Sequence, residues 1–522
     1  MAKSSNIFRQ IQRPKIQKSW FDLSHDHKTT FEMGELVPTL VMETLPGDEF
    51  NISVENLLRF APLVSPVMHQ IKVNTHIFFV PNRILWPQWE DFITGESEPD
   101  HPYIDLALGI ADNALGKYFG LPKANVSDWN VNAFPIAAYL KIYDDYYRDE
   151  DLITEKFQEL TNGANAYLVS ITSGSLLRRA WQHDYATSAL SSPQQGSEVT
   201  LPLLANDEAE VEFDHTKIGG RVPEWVKVVG GDSADDGTIS STTVSTTEGI
   251  IVSSGSTDHL GYDPHGSLYV DINAEASTIT TLRRAFRLQE FLERDARGGT
   301  RYIENIFNHF GTMVEDYRLQ RPEYLGGVAQ SMVISEVLST AQTDPSGSQE
   351  YPIGYLAGHG ISLGGGNVIN YTCKEHGFII GLTSVRPRTA YMGSLHRMWT
   401  RDTRLDYAFP EFANIGEQEL FNYEVWAEDT TYNDMLETFG YIPRYAEYKY
   451  RNSYVSGEFT DTLEYWHLAR KFTTAPTLSE TFINCIPDRR ILVSSEEPAI
   501  FAHIINNVQV KRCLPKFGNP KL

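Results

Sequence analysis

Ile71-Lys72-Val73-Asn74-Thr75-His76-Ile77-Phe78-Phe79 sets Ile71, Val73, Thr75, Ile77 and Phe79 on one side of an extended chain. Lys72, Asn74, His76 and Phe78 fall on the other side, and Pro81-Asn82 ends the run. A period of two in β-branched and aromatic residues is the pattern of a strand with a buried face. Val37–Leu45 and Phe378–Val385 read the same way. In Ile500–Val510, Ile500, Ala502, Ile504, Val508 and Val510 share a face. These strands lie at opposite ends of a 522-residue chain. A sheet joining them needs long-range connections, as in a jelly roll or Greek key.

Helical patterns sit between the strands. Pro135 opens a stripe of Ile136, Tyr139, Leu140 and Tyr143. Leu282–Arg297 repeats apolar groups at helical spacing and stops at Gly298-Gly299, and Tyr302, Ile303, Ile306, Phe307 and Phe310 continue it. The length suits several domains or one large β domain with insertions. With 41% hydrophobic and 21% charged residues the chain can bury a sizeable core, which excludes global disorder. No apolar run is long enough to span a membrane, and the opening MAKSSNIFRQIQRPK has no apolar centre, so no signal peptide is expected. Cys373, Cys485 and Cys513 are far apart, which excludes a disulfide scaffold and a zinc ribbon and makes a reducing cytosol the default.

The net charge of −24 argues against nucleic acid until its distribution is considered. Residues 1–20 carry Lys3, Arg9, Arg13, Lys15 and Lys18 and no acid; residues 508–522 carry Lys511, Arg512, Lys516 and Lys521 and no acid. The ends are basic and the body acidic, so nucleic-acid contact by the ends competes with mere solvation of two tails. Residues 191–281 hold 15 Asp and Glu against Lys217, Arg221 and Lys227, with Ser, Thr and Gly crowded over Gly230–Gly255. Such a stretch reads as an exposed excursion or a disordered linker. Strand-like runs at Val226–Val229, Gly249–Val252 and Leu268–Ile272 favour a small β-rich excursion.

Gly360-Ile361-Ser362-Leu363-Gly364 matches GxSxG but lacks the strand–turn–helix setting of a nucleophile elbow, and the Gly358–Gly366 cluster reads as a flexible loop. Asp232-Ser233-Ala234-Asp235-Asp236-Gly237 fails as a calcium loop at Ala234 and Thr243. His25-Asp26-His27 would share a face on a strand without a third metal ligand, so hydrogen bonding is expected there. No catalytic residues, metal ligands or cofactor are assigned. Arg and aromatic residues interleave at Arg386, Arg388, Tyr391, Arg397, Trp399, Arg401, Arg404 and Tyr407, and again at Arg444, Tyr445, Tyr448, Lys449, Tyr450 and Arg451. Both single-stranded nucleic acid and a subunit interface select these types. The candidate DNA contacts are therefore Lys3, Arg9, Arg13, Lys15, Lys18, Arg444, Lys449, Arg451, Lys511, Arg512, Lys516 and Lys521.

Six stretches in order along the chain carry a family resemblance: Phe21–Pro38 (FDLSHDHKTTFEMGELVP), Tyr143–Leu152 (YDDYYRDEDL), Trp181–Gly196 (WQHDYATSALSSPQQG), Leu282–Glu304, Arg318–Gly327 (RLQRPEYLGG) and Phe439–Arg451 (FGYIPRYAEYKYR). The chain resembles the major capsid proteins of microviruses, small single-stranded DNA bacteriophages, on the gokushovirus branch. The resemblance implies a mainly β fold with helical insertions: an eight-stranded antiparallel jelly roll of the viral capsid type with long inserted loops. It implies about sixty copies in a T=1 icosahedral shell around the genome. It implies as partners a small basic DNA-condensing protein, an internal scaffolding protein, a DNA pilot protein and a host-cell surface receptor, with no membrane insertion. The expected location is the virion, assembled in the bacterial cytoplasm.

The expected organisation is a basic arm at 1–35, a discontinuous core at 36–90 and 328–507, and a helical and loop insertion at 91–196. An acidic surface insertion at 197–281, a helical segment at 282–327 and a basic tail at 508–522 complete it. By resemblance, 197–281 forms a protrusion at the three-fold axes that serves host attachment; the plain alternative is a solubilising loop. The rival function is a β-rich carbohydrate-active enzyme or a carbohydrate-binding protein, since acidic bodies and exposed aromatics suit both.

Overall fold

The computed structural model describes residues 17–105, 114–122, 130–172, 176–196, 199, 279–299, 301–338, 356–366, 368–427, 435–494 and 496–517, with short strands between 211 and 270. The chain divides into two units, Met1–Gln195 with Asp295–Leu522, and Gly196–Arg294.

In the first unit the strands are β1 (Ser19–Asp22), β2 (His25–Phe31), β3 (Val37–Thr44), β4 (Glu49–Phe60), β5 (Ile71–Pro81), β6 (Glu323–Ser331), β7 (Val333–Leu338), β8 (Leu356–Gly365), β9 (Ile369–Thr372), β10 (Gly377–Pro387), β11 (Glu417–Phe421), β12 (Thr438–Pro443) and β13 (Ile500–Arg512). The helices used below are α1 (Ala114–Tyr118), α2 (Phe134–Tyr146), α3 (Ile279–Gly298) and α4 (Tyr302–Phe310). The large sheet runs β1–β13–β4–β8–β7, with β2 also on β13 and β9 also on β4. The second sheet runs β6–β5–β10–β3, and all the pairings are antiparallel. The fold is mostly β, with helices between strands.

The alternation read at Ile71–Phe79 is the inward face of β5. Ile71, Val73 and Ile77 join Ile52, Val54 and Leu58 of β4 and Ile504 and Val508 of β13 in one core. Phe78, which alternation places outside, is also buried, because α2 covers that face: the Phe78 and Tyr146 rings lie 4.8 Å apart. Coverage of both faces also explains the nearly continuous burial along β10.

A polar seam crosses the apolar interior. Asn56 Nδ2 donates to Thr75 Oγ1 at 2.9 Å, Thr75 and Thr383 hydroxyls meet at 2.9 Å, Thr383 and Thr39 hydroxyls at 3.0 Å, and Asn506 Nδ2 donates to the Thr39 carbonyl at 3.0 Å. All five residues are buried. The seam ties β4 and β13 to β5, β10 and β3. A one-residue slip would turn every member to the wrong face, so the seam specifies register.

The glycine cluster forms strand β8 instead of the expected flexible loop. Glycine disfavours strands by composition, but here it permits close approach: a Cβ at Gly358 would meet the Ser65 carbonyl, and one at Gly360 the Phe60 ring. Ser362 is buried in this strand and donates to the Ser331 carbonyl at 3.1 Å, so GxSxG here is β-sheet.

His76 shares its Nδ1 with the Tyr147 hydroxyl at 2.8 Å. Burial, then Arg179 and Arg386, lowers its pKa to about 4. A value below the unfolded one means the histidine's contribution is complete above the unfolded pKa of about 6.5 and is lost as pH falls toward 4. The expected loss is about 1.4 kcal/mol per pH unit in that window. Denaturant midpoints at pH 7 and 5 should differ less for His76→Gln than for the unsubstituted chain; equal differences would refute the assignment.

The second unit pairs its strands internally. Trp225–Val228 lies between Asp235–Thr238 and His259–Tyr262, and Leu268–Val270 pairs with Val211–Phe213. The expected strand at 249–252 and the turn residues 232–234 lie outside the described residues.

Candidate nucleic-acid and subunit interfaces

Ser19 pairs with Arg512 in antiparallel β1 and β13, so the basic ends run side by side at one end of the large sheet. The register brings Lys18, Lys511 and Arg512 onto two carboxylates at the start of β4. Lys18 Nζ lies 2.9 Å from Glu49, Lys511 Nζ 3.2 Å from the same carboxylate, and Arg512 Nε 2.8 Å from Asp48. Hydrogen bonds from Lys18 and then Lys511 hold Glu49 below the usual carboxylate range. These three candidate cations thus share two carboxylates within the chain, which leaves one positive charge in excess. Lys516 is exposed beyond them, and Lys3, Arg9, Arg13, Lys15 and Lys521 lie outside the described residues.

The two Arg–aromatic stretches, far apart in sequence, meet in space. Arg401 of the first lies over the Tyr448 ring of the second at 4.3 Å and pairs with Glu447 at 3.4 Å. Glu447 also accepts from Gln418 Nε2 at 2.8 Å. Arg397 lies 2.6 Å from Glu424, which accepts from the Tyr185 hydroxyl at 2.7 Å. Burial raises the Glu424 carboxyl, with Arg397 acting against it. Arg444 covers Tyr445 at 4.7 Å, Arg451 covers Tyr454 at 5.2 Å, and Lys449 Nζ donates to the Arg444 carbonyl at 3.1 Å. Arg386 and Tyr391 turn inward, to the Ala180 carbonyl and to Asp184. Most guanidinium groups here face rings of the same chain, which uses up part of their cationic character. A rim remains open: Trp399, Tyr448, Tyr450 and Tyr454 are exposed, the last three on the Arg444–Arg451 side. Trp399, Tyr450 and Tyr454 line a cavity of about 190 Å³ that also touches Tyr185, Glu424 and Arg451.

His25 Nδ1 contacts the Leu23 carbonyl at 2.9 Å, His27 Nδ1 the Thr39 carbonyl at 3.2 Å, and Asp26 lies 3.1 Å from His503. Among the described residues no cluster of three or more His, Cys, Asp or Glu is placed to hold a metal, and no helix is long and apolar enough to cross a membrane.

The sequence reading missed one cationic site. Lys28 of β2, Arg59 of β4 and Lys117 of α1 border a concavity of about 680 Å³ on the face of the large sheet turned away from the core. Phe501, His503, Leu57 and Tyr118 are also part of its lining. No local pattern joins residues 28, 59, 117 and 501; the strand register does.

A model of the family described as "Capsid protein (F protein)" of phages matches residues 9–522. Capsid protein VP1 of Chlamydia phage 1 is 34% identical, with 99% of this chain and 98% of that protein aligned. Capsid protein VP1 of Bdellovibrio phage phiMH2K is 36% identical over 94% of this chain and 92% of its own length. Capsid protein VP1 of Spiroplasma virus 4 is 28% identical over 99% and 97%.

Proposed function

The chain belongs to the phage F-type capsid protein family and is a microvirus major capsid protein, a structural component of the virion and not an enzyme; from that premise we propose that about sixty copies close into a T=1 icosahedral shell around a single-stranded DNA genome. The full-length match carries this reading. The carbohydrate-active enzyme considered from composition gives way to it.

The strand order supports an eight-stranded jelly roll. β2–β13–β4–β8 and β3–β10–β5–β6 are two four-stranded rows in which consecutive strands mostly alternate between sheets, with β1, β7 and β9 as additions. Residues 36–90 and 328–507 supply most of this core, with 91–196 and 282–327 as covering insertions. The expected arm 1–35 holds β1 and β2, and the expected tail 508–522 holds the end of β13; the basic segments flanking these strands meet genome phosphate at that end of the sheet. Residues 197–281 form a protrusion at the three-fold axes and serve host attachment. The DNA-condensing, scaffolding and pilot proteins complete the assembly.

Native mass measurement of particles from infected cells tests the reading. A shell of sixty 59.0 kDa chains should carry protein mass on the order of 3.5 MDa. Finding only monomers or dimers would overturn it.

A further inference from the structure

Three cations converge on the outward face of the second sheet, under residues 178–180. Antiparallel register sets Lys72 of β5 directly opposite Arg386 of β10, on the same face. Like charges so placed repel. Two residues along β10, on that face, Ser384 Oγ accepts from Arg179 Nη1 at 3.1 Å. Among the described residues no carboxylate lies within ion-pair distance of Lys72, Arg179 or Arg386. The adjacent Arg178, by contrast, is paired with Glu35 at 3.5 Å.

We propose that Lys72, Arg179 and Arg386 bind a small tetrahedral oxyanion, inorganic phosphate or sulfate, between β5 and β10 and the segment at residues 179–180. The bound ion offsets the repulsion among the three cations and fastens that segment to the sheet.

Hydrogen bonding supports it. Arg386 Nη1 donates to the Ala180 carbonyl at 2.7 Å, while its Nε is buried with no acceptor. A buried donor on a charged group is costly unless something accepts from it. Guanidinium forks match the oxygens of phosphate and sulfate, and a lysine adds a point charge beside them. Asn74, opposite Ser384 and two residues from Lys72, makes no side-chain hydrogen bond among the described residues and offers an amide donor. Electrostatics agrees. Burial, then Arg179, lowers the Arg386 guanidinium to about 10. The same two guanidinium groups follow burial in lowering His76 on β5. Lys72 is exposed and leaves the site open on that side. Residues 179–180 and the Tyr147 ring, 5.4 Å from the Arg179 guanidinium, cover the other side, so a free ion fits better than a polymer does.

The test unfolds full-length subunits from dissociated particles in urea at fixed ionic strength, while sodium chloride is exchanged stepwise for sodium phosphate or sodium sulfate. Above the dissociation constant, each tenfold rise in the oxyanion should lower the unfolding constant about tenfold, as one bound ion requires. Arg386→Gln should weaken binding about 30-fold and Lys72→Gln about 5-fold. Because Lys72 is exposed, its variant keeps the proposal testable if Arg386→Gln does not fold. Without oxyanion, Lys72→Gln should be more stable than the unsubstituted chain, since it lacks one of two opposed like charges; at saturating phosphate it should be less stable. A merely structural lysine gives no such crossing. No dependence beyond that on chloride, or equal dependence in the variants and the unsubstituted chain, overturns the site. An oligothymidylate that stabilises more than free phosphate at equal phosphate concentration assigns the cations to a strand and also overturns the proposal.

Discussion

Shells built from a chain in which a short Gly-Ser turn replaces Val199–Ala274 are expected to close at normal mass and to adsorb to host cells on the order of 100-fold more weakly. Closure should survive because, among the described residues, the excised strands pair with one another and with no strand of the large sheets, within a unit that clusters by itself. Exchanging a long excursion for a short one changes loop-closure entropy slowly, by about 0.6 kcal/mol per halving of length. Adsorption should fall steeply because a shell presents many copies of each attachment element, and avidity multiplies the loss at one copy. Particle mass and residual adsorption are read separately. Normal adsorption removes the receptor role and leaves a solubilising loop; absence of shells shows that the segment also holds subunits together.

Glu447→Ala is expected to destabilise the subunit by about 3–5 kcal/mol. Glu447 and Arg401 are 3% and 9% exposed at the side chain, and the carboxylate is also the acceptor for Gln418 Nε2. Truncation leaves the guanidinium, still held over Tyr448, without its counter-charge in a dry site. The loss is a large share of the roughly 5–15 kcal/mol that keeps a domain folded. Removing both charges with Arg401→Met/Glu447→Leu should recover much of it, because the cost lies in the orphaned charge. Denaturant unfolding of the three proteins checks this; a loss under about 1 kcal/mol for Glu447→Ala would place the pair in solvent-exposed territory.

Period-two alternation made β5 and β13 legible, because each buries one face along nearly its whole length and side-chain direction is fixed by the pleat; β3 and β10 were legible as apolar runs, β10 being covered on both faces. The helices at 134–146, 279–298 and 302–310 were legible from apolar spacing and from the Gly298-Gly299 stop. β8 was not: its glycines answer to the Ser65 carbonyl and the Phe60 ring, and a local reading contains neither. Basic ends could be counted from composition. The pairing of Lys18, Lys511 and Arg512 with Asp48 and Glu49 could not, since Arg512 and Asp48 are 464 residues apart and only antiparallel register joins them. The same holds for Lys28, Arg59 and Lys117. Charge is a local property of sequence, whereas its uncompensated remainder is a property of the fold.

β13 lies between β2 and β4, yet among the described strands it is the last to be synthesised. On a ribosome, β2 and β4 wait with open edges until some 440 further residues have been added, about half a minute or more at bacterial elongation rates. A prematurely terminated product offers no strand to either edge, leaves Thr39 without Asn506, and stays a substrate for proteases. In the proposed shell, fragments that end before Ile500 are therefore expected to be absent from purified particles. Strand order would then make completeness of translation a condition of entry to the particle.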